Sequence, residues 1–167
     1  MSLKATITGD CKYMSLAFSG AQGQATVNIV NEAGNADYTF SMQLQGGNAV
    51  DGTVLSLSSI GATDGVFEVM VTDSAGAVQY AGVLGKCALN CCIAKKMDAI
   101  LGCDCSCTKC NHDLIQAERV HLLISGIEAD LSQIGSDTEK NAAFYVTAKR
   151  KYAKASELCA DDCGCSC

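Results

Sequence analysis

Val78-Gln79-Tyr80-Ala81-Gly82-Val83-Leu84-Gly85-Lys86-Cys87-Ala88-Leu89-Asn90-Cys91-Cys92-Ile93 is where one kind of sequence gives way to another. Up to Leu84 it has the β-branched and aromatic character of a half-buried strand. From Ala88 to Leu101 apolar residues recur at Leu89, Cys92, Ile93, Met97 and Ile100, the spacing of a helix with one apolar face. Composition changes at the same point. Residues 1–86 hold one cysteine and 10 charged side chains, whereas residues 87–167 hold 11 cysteines and 20 charges. The shift marks two domains, 1–86 and 87–167.

Working back from Val78, six further stretches have strand character. They are Ala5–Thr8, Lys12–Phe18, Ala25–Val30, Tyr38–Met42, Thr53–Leu57 and Val66–Val71. Turn-forming clusters separate them: Gly20-Ala21-Gln22-Gly23, Asn31-Glu32-Ala33-Gly34-Asn35, Gly46-Gly47-Asn48 and Ser74-Ala75-Gly76. About seven short strands at this spacing predict an antiparallel immunoglobulin-like (Ig-like) β-sandwich.

Working forward from Ile93, two longer helices follow the first. Asn111 is placed to cap a helix running to about Gln133, with Leu114, Ala117, His121, Ile124, Ile127, Leu131 and Ile134 on one face. Gly135 stops it, and Ser136 with Glu139 forms a capping box for the next. That helix reaches about Cys159, with Tyr145, Ala148, Tyr152, Ala155 and Cys159 on one face and small residues (Ala142, Ala148, Ala155) for close approach. A short link between helices of similar length predicts a helical hairpin. The fold class expected is therefore α+β: an N-terminal Ig-like sandwich followed by a Cys-rich helical hairpin of about three helices.

Composition excludes several functions. With no Trp, no Pro and 5% aromatic residues, the core is thin, and two small domains gain from staples or self-association. The net charge of −6 argues against nucleic acid, which demands a basic patch. The run Lys149, Arg150, Lys151 and Lys154 reads as a solvated helix face. No apolar run has the ~20 residues of a membrane span, and Met1-Ser2-Leu3-Lys4 opens no secretory signal.

The cysteines carry the sharpest expectation. Cys103, Cys105, Cys107 and Cys110 precede the hairpin, and Cys159, Cys163, Cys165 and Cys167 follow it as a near mirror image about Gly135. A hairpin sets both groups at its open end, joined there by Cys87, Cys91 and Cys92. Such sulfurs either pair as disulfide rungs or, as thiolates, hold zinc. Cys11 is either a buried free thiol or the partner of Cys87, since the first and last strands of such a domain can be neighbours.

Catalytic alternatives lack context. Cys107-x-x-Cys110 has thioredoxin-like spacing without a βαβ unit. His112 falls one residue late for haem attachment, and the first four cysteines match no common iron–sulfur spacing. His112 reads as a first-turn residue and His121 as a hydrogen-bonded core histidine. Asp37, Asp51, Asp64 and Asp73 read as turn aspartates rather than calcium ligands. No catalytic residues are expected.

Three features combine into a family likeness. Asp64-Gly65-Val66-Phe67-Glu68-Val69 precedes the strand ending Gly85-Lys86-Cys87, then Cys91-Cys92-Ile93 opens a helix, and Ala117-Glu118-Arg119-Val120-His121-Leu122-Leu123-Ile124 lies on a later one. In this the chain resembles virion structural proteins of tailed bacteriophages, in which an Ig-like domain precedes a Cys-containing helical hairpin. The tail Cys163-Gly164-Cys165-Ser166-Cys167 is denser in cysteine than that group's pattern. The resemblance implies a non-catalytic virion subunit (adaptor, decoration or fibre-associated), and the expectation is a homo-oligomer in contact with other virion proteins, with no cofactor. Charge and hydropathy leave neither nucleic acid nor membrane as an expected partner. The alternative is a zinc-binding thiolate module.

Overall fold

Apolar residues alternate in the first half, and that alternation decides which side of each strand is buried. In the computed structural model, which describes residues 2–31, 36–43, 49–60, 64–101 and 108–160, all seven expected strands are present. They are β1 (Ser2–Ile7), β2 (Tyr13–Ser19), β3 (Gln24–Asn31), β4 (Ala36–Gln43), β5 (Ala49–Ser56), β6 (Gly65–Thr72) and β7 (Val78–Gly85). They form two antiparallel sheets, one of order β1-β2-β5 and one of order β4-β3-β6-β7. The register of the larger sheet sets Ile29 opposite both Tyr38 and Val69, and Val69 opposite Ala81. A turn of 3-10 helix, Leu57–Ile60, follows β5 and was not foreseen.

One core joins the two sheets. Met14, Leu16 and Phe18 come from β2, Ala25, Val27 and Ile29 from β3, and Phe67, Val69 and Val71 from β6. Leu3, Ala5 and Ile7 of β1 pack against it. Each fully buried side chain of this kind contributes about 1.5–3 kcal/mol before chain entropy is counted.

The turns obey local chemistry. Gly20, Gly23 and Gly76 adopt positive φ where the chain reverses. Asp73 is buried, and its carboxylate accepts hydrogen bonds from the backbone N–H of Gln22 (2.9 Å), Ala75 (3.0 Å) and Ala77 (2.9 Å). The bond from Gln22, with those from Ala77 and Ala75, holds its carboxyl below the usual range.

The second half is three helices, α1 (Cys87–Leu101), α2 (Thr108–Ser132) and α3 (Thr138–Ala160). Helix α2 begins at Thr108, so Asn111 lies within it rather than capping it. Asp137, not Ser136, caps α3: its Oδ1 accepts from the N–H of Glu139 and Lys140, both at 3.2 Å. Asn141 closes the turn between α2 and α3 by accepting from Gly135 N–H (2.8 Å) and donating to Gly135 O (2.7 Å).

The buried stripe of α2 is Ala117, Val120, Ile124, Ile127 and Leu131. It meets Tyr145, Ala148, Ala155 and Leu158 of α3, with Ile127 and Leu131 near Tyr145 and Ala148, and Val120 and Ile124 near Ala155 and Leu158. His121, expected on this stripe, is exposed, as is Ala142, because the repeat runs 4-3-4-3 and takes Val120 instead.

The helices rest on the outer face of the larger sheet. Val66 and Leu84 join the cluster of Ile127, Leu131 and Tyr145, and the Tyr145 hydroxyl donates to Ala81 O at 3.0 Å. Burial, with the charge of Glu68 nearby, raises the pKa of that hydroxyl. Gly82 permits the approach: a Cβ there would lie 2.7 Å from Leu131 Cδ2 and 3.2 Å from Tyr145 Cε1. Ion pairs flank the contact, Lys149–Glu68 at 2.9 Å and Lys86–Glu128 at 2.6 Å.

Candidate functional site

Helix α1 opens between the two sheets, and its first residues are fixed from both. The N–H of Ala88 donates to Asp64 Oδ1 at 2.9 Å, so Asp64, immediately before β6, caps α1 across 24 residues of chain. On the other side Cys87 bonds to Cys11, with a Cα–Cα distance of 6.1 Å. Cys11 sits in the turn between β1 and β2 with φ of 62°, a region that side chains other than glycine seldom enter. Asp10 shapes this turn, accepting from the Thr8 hydroxyl and from Lys12 N–H (3.2 Å). Those bonds lower the Asp10 pKa, with the Thr8 bond the larger cause.

The second bridge joins Cys92 of α1 to Cys159 in the last turn of α3, with a Cα–Cα distance of 5.7 Å. The bridges span 76 and 67 residues. In the chain-entropy account, loops of that length each contribute about 4 kcal/mol. Together they form a covalent path from the β1–β2 turn through α1 to the end of α3. Around the second bridge lie Leu89, Ile93, Val120, Ile124, Ala155 and Leu158.

Of the cysteines expected to converge, Cys159 meets Cys92 and packs near Val120 and Ile124. Cys103, Cys105, Cys107, Cys163, Cys165 and Cys167 lie outside the described residues, as does the side chain of Cys110, whose backbone is in the first turn of α2. Cys91 is an exposed free thiol. Among the described residues no three of His, Cys, Asp and Glu gather as a metal would require. His112 is exposed on α2, and the side chains of Asp37 and Asp51 lie outside the described residues.

One feature of the α1–α2 contact escaped the sequence pattern. Asp113 is 1% exposed, and neither carboxylate oxygen has a hydrogen-bond partner among the described residues. Nearby in the same contact, buried Lys96 donates to Gln116 Oε1 at 3.0 Å. The signal was available: the 4-3 repeat of Ala117, Val120, Ile124, Ile127 and Leu131 extends back to position 113. An aspartate there does not register as core in an apolar pattern.

Several concavities flank the helices. One, of about 270 Å³, lies between the sheet and the start of α3 and is lined by Asn28, Glu68, Tyr80, Asn141 and Tyr145. Another, of about 410 Å³, lies between α1 and the end of α3 and is lined by Leu89, Cys91, Cys92, Lys95, Ser156 and Cys159. No described helix is long and apolar enough to cross a membrane. Compared with known proteins, the chain matches no family model, and no curated protein is significantly similar to it.

Proposed function

We propose that the chain is a non-catalytic structural subunit of a virus particle, an Ig-like sandwich that carries a disulfide-stapled helical hairpin. The observation that carries this is the pair of long-range bridges, Cys11–Cys87 and Cys92–Cys159, which run from the β-module through α1 to the end of α3. Covalent fastening of a thin-cored module suits a part that must keep its shape under mechanical and solvent stress. The strand order supports the Ig-like assignment. A constant-type Ig domain arranges its strands 1-2-5-4 over 3-6-7. Here strand four has moved from the edge beside β5 to the edge beside β3. Large apolar side chains at the surface, Val54 (62% exposed), Leu101 (81%) and Leu122 (69%), suit contacts with further copies and with other virion proteins.

Gradient-purified particles from the source, digested and analysed by mass spectrometry, test the assignment. Peptides of this chain at fixed stoichiometry in the particle fraction are expected. Their confinement to the unassembled protein fraction would overturn it.

One observation favours zinc binding as a second reading. The buried carboxylate of Asp113, partnerless among the described residues, follows Cys110 by three residues, and an oxygen ligand beside thiolates is within zinc's donor range. Metal analysis of protein isolated without chelator decides it: whole-number zinc supports the module, and a metal-free protein with the same helical content rejects it.

A further inference from the structure

Three cysteines share the cleft between α1 and the end of α3. The free, exposed Cys91 lines it together with both partners of the Cys92–Cys159 bridge. We propose that this cleft is an internal thiol–disulfide exchange site, in which Cys91 and Cys92 alternate as the partner of Cys159. The thiolate of Cys91 attacks Cys159 Sγ. A Cys91–Cys159 bond forms as the Cys92–Cys159 bond breaks, the electron pair leaves on Cys92 Sγ, and that sulfur takes a proton from water. One S–S bond replaces another, so neither oxidant nor reductant is consumed.

Geometry selects Cys159 as the sulfur attacked. Attack on Cys92 would join consecutive residues, whose Cα atoms lie ~3.8 Å apart, short of the ~4.4–6.8 Å that disulfides span. Consecutive residues on a helix point ~100° apart, so exchange requires α1 to turn about its axis near residue 91. Eight of the 15 residues of α1 are exposed. Cys87 stays tied to Cys11, so the turn falls on the residues after it and re-seats buried Leu89 and Lys96 and half-buried Ile93. The product seats α1 differently against α3 and presents Cys92 as the free thiol. Among the described residues Lys95 is the charged side chain lining the cleft, and α3 lines it with Ser156, Cys159 and Ala160.

The test uses the full chain purified without reductant. After incubation at pH 8, free thiols are capped with one alkylating reagent, bridges are reduced, and the new thiols are capped with a second. Fragmentation of the tryptic peptide 87–95 then locates each label. The expected result is the first label divided between Cys91 and Cys92, with the label on Cys92 falling to background in the Cys91→Ser variant. First label on Cys91 alone overturns the proposal. So does its absence from both residues, because Cys91 is then bonded elsewhere. Label on Cys92 that persists in Cys91→Ser overturns it too, since the bridge is then open without exchange.

Discussion

The two halves of this molecule are held by different forces. In the sheets, β2, β3 and β6 each send every second side chain into one apolar core, and Met14, Leu16, Val27, Ile29, Phe67 and Val71 are all fully buried. In the helices the buried set includes Asp113, Lys96, Gln116 and Asn141, and α1 buries only two side chains. The helical half compensates by leaning on the sheet through Val66, Gly82 and Leu84, and through its bridges. A period-two pattern can close a core within its own half. A three-helix array this polar relies on a platform and a fastening.

The difference is sharpest in the bridge mutants. Cys159→Ser removes the bridge between α1 and α3, whichever cysteine of α1 is its partner. It should cost about 4 kcal/mol of stability, read by denaturant titration. Helical circular dichroism should be lost at lower denaturant than the sheet signal. A single coincident transition would mean that the halves are one cooperative unit.

Gly82→Val attacks the platform instead. Its side chain enters space held by Leu131, Tyr145 and Ile134. Overpacking of this kind costs about 1–3 kcal/mol, and the loss should again fall first on the helices.

Asp113→Leu is expected to act in the opposite direction. It removes a buried carboxylate that has no hydrogen-bond partner among the described residues and fills a position in the apolar stripe of α2. A gain of about 1–3 kcal/mol is expected, the penalty for leaving such a group unsatisfied. Loss of stability together with loss of bound zinc would mean that the carboxylate serves a metal.

The smallest effect concerns pH and belongs to the sheets. Asp73 has a lowered pKa because backbone N–H groups bind its charged form. Its contribution is complete above the unfolded carboxylate pKa of about 3.9 and is lost as pH falls through the lower folded value. Asp73→Asn should flatten the acid limb of the stability profile, while the neutral-pH helical signal stays unchanged.

Much of this was legible in the sequence because short-range patterns carried it. All seven strands and all three helices follow from periodicity and turn residues, whereas for Cys11 the sequence left two readings, a buried free thiol and a bridge to Cys87, and the structure has the bridge. What was not legible depends on tertiary contact. Nothing local says that β4 pairs with β3 alone, leaving β5 on the other sheet. Nothing local says that Asp64 caps a helix 24 residues on, or that Gly82 exists to admit Leu131. Symmetry about Gly135 set Cys159 at the open end of the hairpin with the cysteines preceding α2 and those of α1, without saying which it would meet; it bonds Cys92, because α1 lies beside the end of α3.

A non-reducing tryptic map tests the central claim, that disulfides fasten the helices to the sheets. Peptides 5–12, 87–95 and 155–167 carry Cys11, Cys87 with Cys92, and Cys159. The account predicts that these three peptides leave the column as one covalent species and separate only on reduction. Alkylation of Cys11, Cys87 and Cys159 in unfolded but unreduced protein would contradict it.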